Sequence, residues 1–340
     1  MEKRTFKILS IDGGGIKGLY SATILKKFEE KFNTITSDHF DMICGTSTGG
    51  LIALAIALKI PANEICDFYI EEGPSIFPKQ KKVKVPFFKT IDFGFLKQIA
   101  MGGKYSDKGL KDSLKKIFGD KIIKDCHNLL CIPSYSVTEA TPRVFKYDHR
   151  EGELSRDNNA PIVDIALATS AAPTYFPLAE SKFYNKEQFI DGGVWANNPT
   201  LVGLLEALNN FVGEGKDYDN IEILSLSSLT LTGGKKTGLK RGRSFRDWGA
   251  ELFETSMNGQ SFFANFFMTK VSEISNVNIK YVRIPSMTVA TEQESLIQLD
   301  VASEKAFNLM KIKANDQALI FEKRTDIKDF FTKKKTYHIN

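Results

Sequence analysis

Ser47 stands at the centre of Gly45-Thr46-Ser47-Thr48-Gly49. This is the G-x-S-x-G pattern of a nucleophile raised on a sharp turn between a strand and a helix, where flanking glycines give the backbone room. The neighbours fit, since His39 to Cys44 reads as a short apolar strand and Leu51 opens an apolar helix. A carboxylate follows much later in Asp191-Gly192-Gly193, after the short strand Phe189-Ile190. A third motif, Asp12-Gly13-Gly14-Gly15-Ile16-Lys17-Gly18, lies between the first strand and the first helix. Consecutive glycine N–H groups at a helix start can hold a developing oxyanion, each donor contributing about 2.7–4 kcal/mol in the transition state. The same loop satisfies the dinucleotide pattern through Gly13, Gly15 and Gly18, with Asp38 near the position of a ribose-binding acid. The loop by itself allows both chemistries. It does not fit a Walker phosphate loop, because Leu19 follows Gly18 where Lys-Ser/Thr is required.

The histidines decide between a triad and a dyad. A serine hydrolase of the common α/β kind runs in the order Ser, acid, His. Here His39, His127 and His149 precede Asp191, and His338 lies two residues from the end of the sequence. A Ser47–Asp191 dyad needs neither. Its carboxylate would have to sit in an apolar, partly desolvated place, because an exposed aspartate is a weak base.

These residues need a scaffold of strands ending in turns. Thr5 to Ile11, His39 to Cys44, Leu129 to Val137, Arg143 to Tyr147 and Ile221 to Leu226 read as strands. Ile16 to Phe32, the stretch from Leu51, Pro61 to about Glu71, Asp107 to Phe118, Ile162 to Ala171 and Pro199 to Leu208 read as helices. Their alternation predicts an α/β layered fold with a largely parallel central sheet flanked by helices. Further helices are expected near 247 to 273 and 301 to 322, around a strand near Ile279 to Ile284. The 340 residues are read as one domain, with a motif-bearing core over about 5–230 and a C-terminal extension over about 231–340 packing on it.

Lys and Arg number 46 against 41 Asp and Glu, a net charge of +5 that favours an anionic partner in general and no class in particular. The longest apolar stretch, Leu51 to Leu58, is well short of the ~18 residues a bilayer span needs. The start of the sequence carries no secretory pattern, and Cys44, Cys66, Cys126 and Cys131 form no paired framework. A reduced, cytoplasmic setting is expected. Cys126, His127 and Cys131 lack a fourth ligand at zinc spacing, so no metal is expected.

Taken together, the three motifs resemble the patatin-like phospholipases in order and spacing. The resemblance extends to Phe40-Asp41, Ile132-Pro133-Ser134-Tyr135, Ala168-Thr-Ser-Ala-Ala-Pro173, Tyr175-Phe176-Pro177 and Asn197-Asn198-Pro199, and covers roughly residues 5–230. It implies a patatin-like three-layer fold and acyl-ester hydrolysis on membrane phospholipids by Ser47 and Asp191. It also implies an oxyanion hole from Gly13, Gly14, Gly15 and Lys17, and no cofactor. Plant members usually carry Arg where this chain has Lys17, and many members read Gly-Thr-Gly where it has Ser227-Ser228-Leu229. Compact bacterial members resemble antiphage effectors that a cyclic oligonucleotide switches on against the host membrane. The partners so implied are phospholipid as substrate, a transient contact at the inner membrane surface, and a cyclic nucleotide as activator. Nucleic acid is not among them, and the sequence points to no particular oligomer.

Three surface segments carry expectations of their own. Residues 73 to 105, rich in Phe, Lys and Pro, read as an insertion or lid. The basic stretch 235 to 246 (Lys235, Lys236, Lys240, Arg241, Arg243, Arg246) reads as a flexible surface loop by default, and otherwise as an anionic-lipid site or a nucleotide sensor. Phe262-Phe263 and Phe266-Phe267 share one helical face, read as core packing first and membrane docking second.

Overall fold

Apolar, β-branched runs build the sheet. Thr5–Ile11 (β1), Met42–Gly45 (β2), Leu129–Ser136 (β5), Asn220–Leu226 (β9) and Asn278–Ile284 (β10) are parallel neighbours in the order β10-β9-β1-β2-β5. Beyond β5 the direction reverses. Glu187–Asp191 (β8) is antiparallel to β5, Ala179–Ser181 (β7) to β8, and Thr141–Lys146 (β6) returns as a hairpin on β5. Lys82–Val83 (β3) and Ile91–Asp92 (β4) form a separate antiparallel pair. The computed structural model describes residues 4–79, 82–83, 91–92, 103–230, 237–239, 241–244, 248–249 and 251–339.

Helices cover both faces, which is why β1 reads as a continuous apolar run rather than an alternating one. Phe6, Ile8 and Ser10 face the Thr200–Asn210 helix and its end. Phe6 stacks on Phe211, Gly203 sits against Ile8, and Ser10 accepts a hydrogen bond from Thr200. The residue between, Lys7, reaches the Lys333 carbonyl on the opposite face. There the Gly18–Phe32 helix packs against the Ala62–Ile76 and Glu304–Phe321 helices. The expected three-layer α/β fold is therefore the fold observed, with an antiparallel edge.

Register places the chemistry-bearing loops. Ile8 pairs with Met42 and Ile11 with Gly45, so the glycine loop after β1 and the turn after β2 leave the same edge of the sheet side by side. This is the edge where open α/β sheets bind ligands. Asp38 precedes β2 and so lies at the opposite edge, where its carboxylate accepts from Lys334 at 2.8 Å. It cannot serve as the ribose acid of a dinucleotide site at the glycine loop. That alternative falls on topology.

The reversal at β8 brings Asp191 to the same place. Asp191 pairs with Ser134, three residues past Cys131, which is the partner of Cys44. It therefore stands level with the residues just beyond β2.

Two expectations change. The Ala62–Ile76 helix continues past Glu71 with Pro74 in its last turn, so residues 73–76 belong to a helix rather than an insertion. Lys104 and Tyr105 are fixed by N–H bonds to the Thr174 and Tyr175 carbonyls, and most of the expected lid between them lies outside the described residues. Glu251–Ile274 is a 24-residue helix on which Phe262, Phe263 and Phe266 are 75%, 61% and 57% exposed. Only Phe267 of the four packs against the core. The core-packing reading of that face was wrong, because the helix buries Ala264 and Met268 instead.

Candidate active site

Ser47 occupies a strained position. Its φ is +55° and its ψ −125°, a conformation that costs a non-glycine residue energy and persists only where the surroundings hold it. Those surroundings explain the glycines. A Cβ on Gly45 would lie 2.1 Å from the Gly49 carbonyl oxygen, and one on Gly49 would lie 2.2 Å from that of Ile11. Thr46 donates its hydroxyl to the Ala196 carbonyl at 2.6 Å, and the Ser47 N–H donates to Thr169 Oγ1 at 3.0 Å. Ser47 then starts the wholly buried Thr48–Ala57 helix.

Asp191 is 1% exposed and lines the same cleft as Ser47. Burial pushes its pKa up to about 7, against the opposing pull of the nearby Ser47 hydroxyl and of the Gly193 N–H, which it accepts at 2.7 Å. Gly192 must be glycine, since a Cβ there would meet the Pro133 carbonyl at 2.3 Å. A carboxylate that takes up protons near neutral pH, beside a serine hydroxyl, is poised as a base.

Both residues line a narrow apolar cleft walled by Ile16, Leu51, Phe68, Phe77, Tyr175 and Phe176. The glycine loop forms its rim. Gly15, at φ +60°, lines the cleft, and a Cβ on it would lie 2.2 Å from the Leu299 carbonyl oxygen. The Gly13 N–H is engaged by the Asn197 carbonyl at 3.0 Å, and that of Ile16 by the Leu299 carbonyl. Those of Gly14 and Gly15 have no acceptor among the described residues. Lys17 lines not this cleft but a neighbouring polar one. The structure thus brings Ser47, Asp191 and Gly15 together and sets Lys17 apart from them.

No histidine lines the apolar cleft. His39 is tied to the Lys333 carbonyl and Thr34, and His149 to Glu206 and the Gly152 N–H. Two residues that hold the site carried a weaker sequence signal. Thr169 is a polar residue at the end of an apolar helix, and it also donates to the Pro133 carbonyl and accepts the Gly192 N–H on its own carbonyl. Arg283, a charge in a strand of mixed character, grips Asp12 with two nitrogens at the root of the glycine loop. Of the basic stretch, Arg243 bonds Glu251 at 3.0 Å, while Lys235, Lys236, Lys240 and Arg246 lie outside the described residues. Among the described residues no helix is long and apolar enough to cross a membrane.

Comparison with known proteins agrees with this architecture. Residues 9–204 match the family model described as "Patatin-like phospholipase". A Pseudomonas aeruginosa protein named "cGAMP-activated phospholipase" is 29% identical over 314 residues, spanning 92% of this chain and 88% of its own length. A Vibrio cholerae protein of the same name is 32% identical over 240 residues, covering 67% and 65%. The Arabidopsis thaliana protein "Patatin-like protein 2" is 30% identical over 350 residues, covering 92% and 82%. The chain belongs to the patatin-like phospholipase family, and with it to the lipid-ester hydrolases.

Proposed function

We propose that the chain is a serine acyl hydrolase of membrane phospholipids that works through a Ser47–Asp191 dyad. The observation that carries this reading is Asp191, its pKa pushed up to about 7 by burial, lining one apolar cleft with Ser47, which stands on a strained turn. An acyl chain lies in the apolar cleft. The Ser47 Oγ attacks the ester carbonyl while Asp191 takes its proton, and the Gly14 and Gly15 N–H groups receive the oxyanion. Asp191 returns the proton to the leaving lysolipid oxygen. Water, deprotonated by Asp191, then releases the fatty acid from Ser47 and restores the dyad. The cytoplasmic face of the inner membrane is the site of action in this reading. The bared phenyl rings of the Glu251–Ile274 helix supply the transient contact, since the same helix lines the cleft through Phe253 and Met257.

A cyclic nucleotide is the proposed activator, by analogy with the two relatives named for cGAMP activation. A ligand shifts a closed–open equilibrium only by its differential affinity for the two states. Hydrolysis of phospholipid vesicles with and without cGAMP tests the gate, and full activity without nucleotide contradicts it. Treatment with a fluorophosphonate followed by peptide mass spectrometry tests the nucleophile. The adduct is expected on Ser47, and labelling elsewhere with Ser47 unmodified contradicts the dyad.

A further inference from the structure

One wall of the apolar cleft comes from well outside the stretch that carries the motifs. Leu299, in the loop that precedes the Glu304–Phe321 helix, lines the cleft together with Gly15. Its carbonyl accepts the Ile16 N–H at 2.9 Å, and a Cβ on Gly15 would lie 2.2 Å from that oxygen. The glycine loop is seated on this carbonyl, with Gly15 in the left-handed region at φ +60°. The direction of the Gly14 and Gly15 N–H groups thus depends on where Leu299 stands.

The next residue is tightly clasped. The Asp300 side chain is buried, and its Oδ2 accepts from the Lys104 ammonium at 2.6 Å and from the Tyr105 hydroxyl at 2.8 Å. Charge-assisted bonds of this length are the strong ones. Lys104 and Tyr105 are themselves anchored, their N–H groups donating to the Thr174 and Tyr175 carbonyls at 2.9 and 2.8 Å. The Tyr105 ring also packs on the cleft residues Phe77 and Phe176, with centroids 5.5 and 6.0 Å away. The turn that anchors them reaches Asp191 in its turn. The Tyr175 N–H donates to the Ala172 carbonyl, and the Asp191 N–H to the Ala171 carbonyl at 3.0 Å. A run of contacts therefore leads from Asp191 along the cleft to the glycine loop, and Asp300 joins its two halves.

We propose that Asp300 is a positioning residue for the glycine loop: clasped by Lys104 and Tyr105, it holds the Leu299 carbonyl that sets the aim of the Gly14 and Gly15 N–H groups. The oxyanion role of those groups rests on the acyl-hydrolase reading; the brace itself does not. Asp300 does not line the cleft and touches no reacting atom. It acts through Leu299.

Hydrogen exchange followed by mass spectrometry reads the brace without turnover, since the Ile16 N–H is protected by the Leu299 carbonyl. In Asp300→Ala the peptide carrying Gly14 to Lys17 should exchange about tenfold faster or more, while peptides from β9 stay unchanged. The kinetic arm compares a soluble short-chain ester with its thionoester, whose sulfur is a poor hydrogen-bond acceptor. Loss of aim should lower kcat on the ester about tenfold or more with KM within about threefold. The preference for ester over thionoester should fall about fivefold. Tyr105→Phe keeps the ring contacts and removes one donor, so it should move both readouts the same way by about twofold, and it stands in if Asp300→Ala fails to fold. Faster exchange with an unchanged ester preference overturns the oxyanion role and upholds the brace. Unchanged exchange of the glycine-loop peptide, or a kinetic loss confined to KM, overturns the proposal. Fluorophosphonate labelling that misses Ser47 contradicts the dyad and leaves the exchange result readable.

Discussion

Thr169 holds Ser47 from behind. Its hydroxyl oxygen accepts the Ser47 N–H at 3.0 Å and passes its own hydrogen to the Pro133 carbonyl at 2.6 Å, while its carbonyl takes the Gly192 N–H. One side chain therefore links the turn that carries the proposed nucleophile to the turn that carries the proposed base. Replacing it by Val keeps the volume and removes the acceptor, leaving a buried N–H unpaired at a cost of about 1–3 kcal/mol. Thr169→Val should lower kcat at least tenfold with KM within about threefold, and the melting temperature should fall by several degrees. A variant with unchanged kcat contradicts the positioning role.

Activity should follow the ionisation of Asp191. With its pKa pushed up to about 7 by burial, the carboxylate is protonated below neutrality and cannot accept the Ser47 proton. The kcat/KM on a neutral soluble ester should fall about tenfold per pH unit below 6 and level off above 8. A profile that stays flat down to pH 5 contradicts an elevated Asp191 pKa.

The same shift has a sign in stability. The folded-state pKa lies above the ordinary value of 3.8, so between about pH 4 and 7 the folded protein holds a proton that the unfolded chain has lost. The contribution of Asp191 to stability is therefore present below about pH 4, declines as pH climbs to about 7, and stays low beyond. Asp191→Asn removes the charge and keeps the shape. It should raise stability at pH 8 by a few kcal/mol relative to its effect at pH 4, as read by urea unfolding at the two values. A lower stability at pH 8 contradicts the burial argument.

The three motifs that resemble the family were legible because each needs glycine at fixed offsets. The structure supplies the reason in the close approaches of Gly45 to Gly49, Gly49 to Ile11 and Gly15 to Leu299. The parallel core was legible for the same kind of reason, since strands covered on both faces read as unbroken apolar runs. The reversal at β8 was not legible. A five-residue strand carries no mark of its direction, and only its pairing with β5 puts Asp191 beside Ser47. The exposure of Phe262, Phe263 and Phe266 was missed because an i, i+4 phenylalanine pattern looks the same on an inner and an outer helix face. Arg283 comes from the strand Asn278–Ile284, far past Asp191 where the motifs had stopped, so its pairing with Asp12 required the sheet.

Those phenyl rings should matter only at a lipid surface. Phe263 and Phe266 do not line either cleft, and no charged residue occurs between Glu254 and Lys270. The double change Phe263→Ser and Phe266→Ser should reduce sedimentation with phospholipid vesicles and vesicle hydrolysis at least fivefold. Hydrolysis of a short-chain soluble ester should stay within about twofold. Equal loss on both substrates contradicts membrane contact through this face.

The central claim is that Ser47 carries acyl transfer from a membrane lipid. Its most direct measurement is fatty acid released from phospholipid vesicles, quantified by mass spectrometry, for the wild-type and Ser47→Ala proteins, with the proposed nucleotide activator present and absent. Wild type should release fatty acid and lysophospholipid in equal amounts in at least one condition, while Ser47→Ala, with the same melting temperature to within a few degrees, should release at least ~10³-fold less. Ser47→Ala release within about tenfold of wild type would contradict the account.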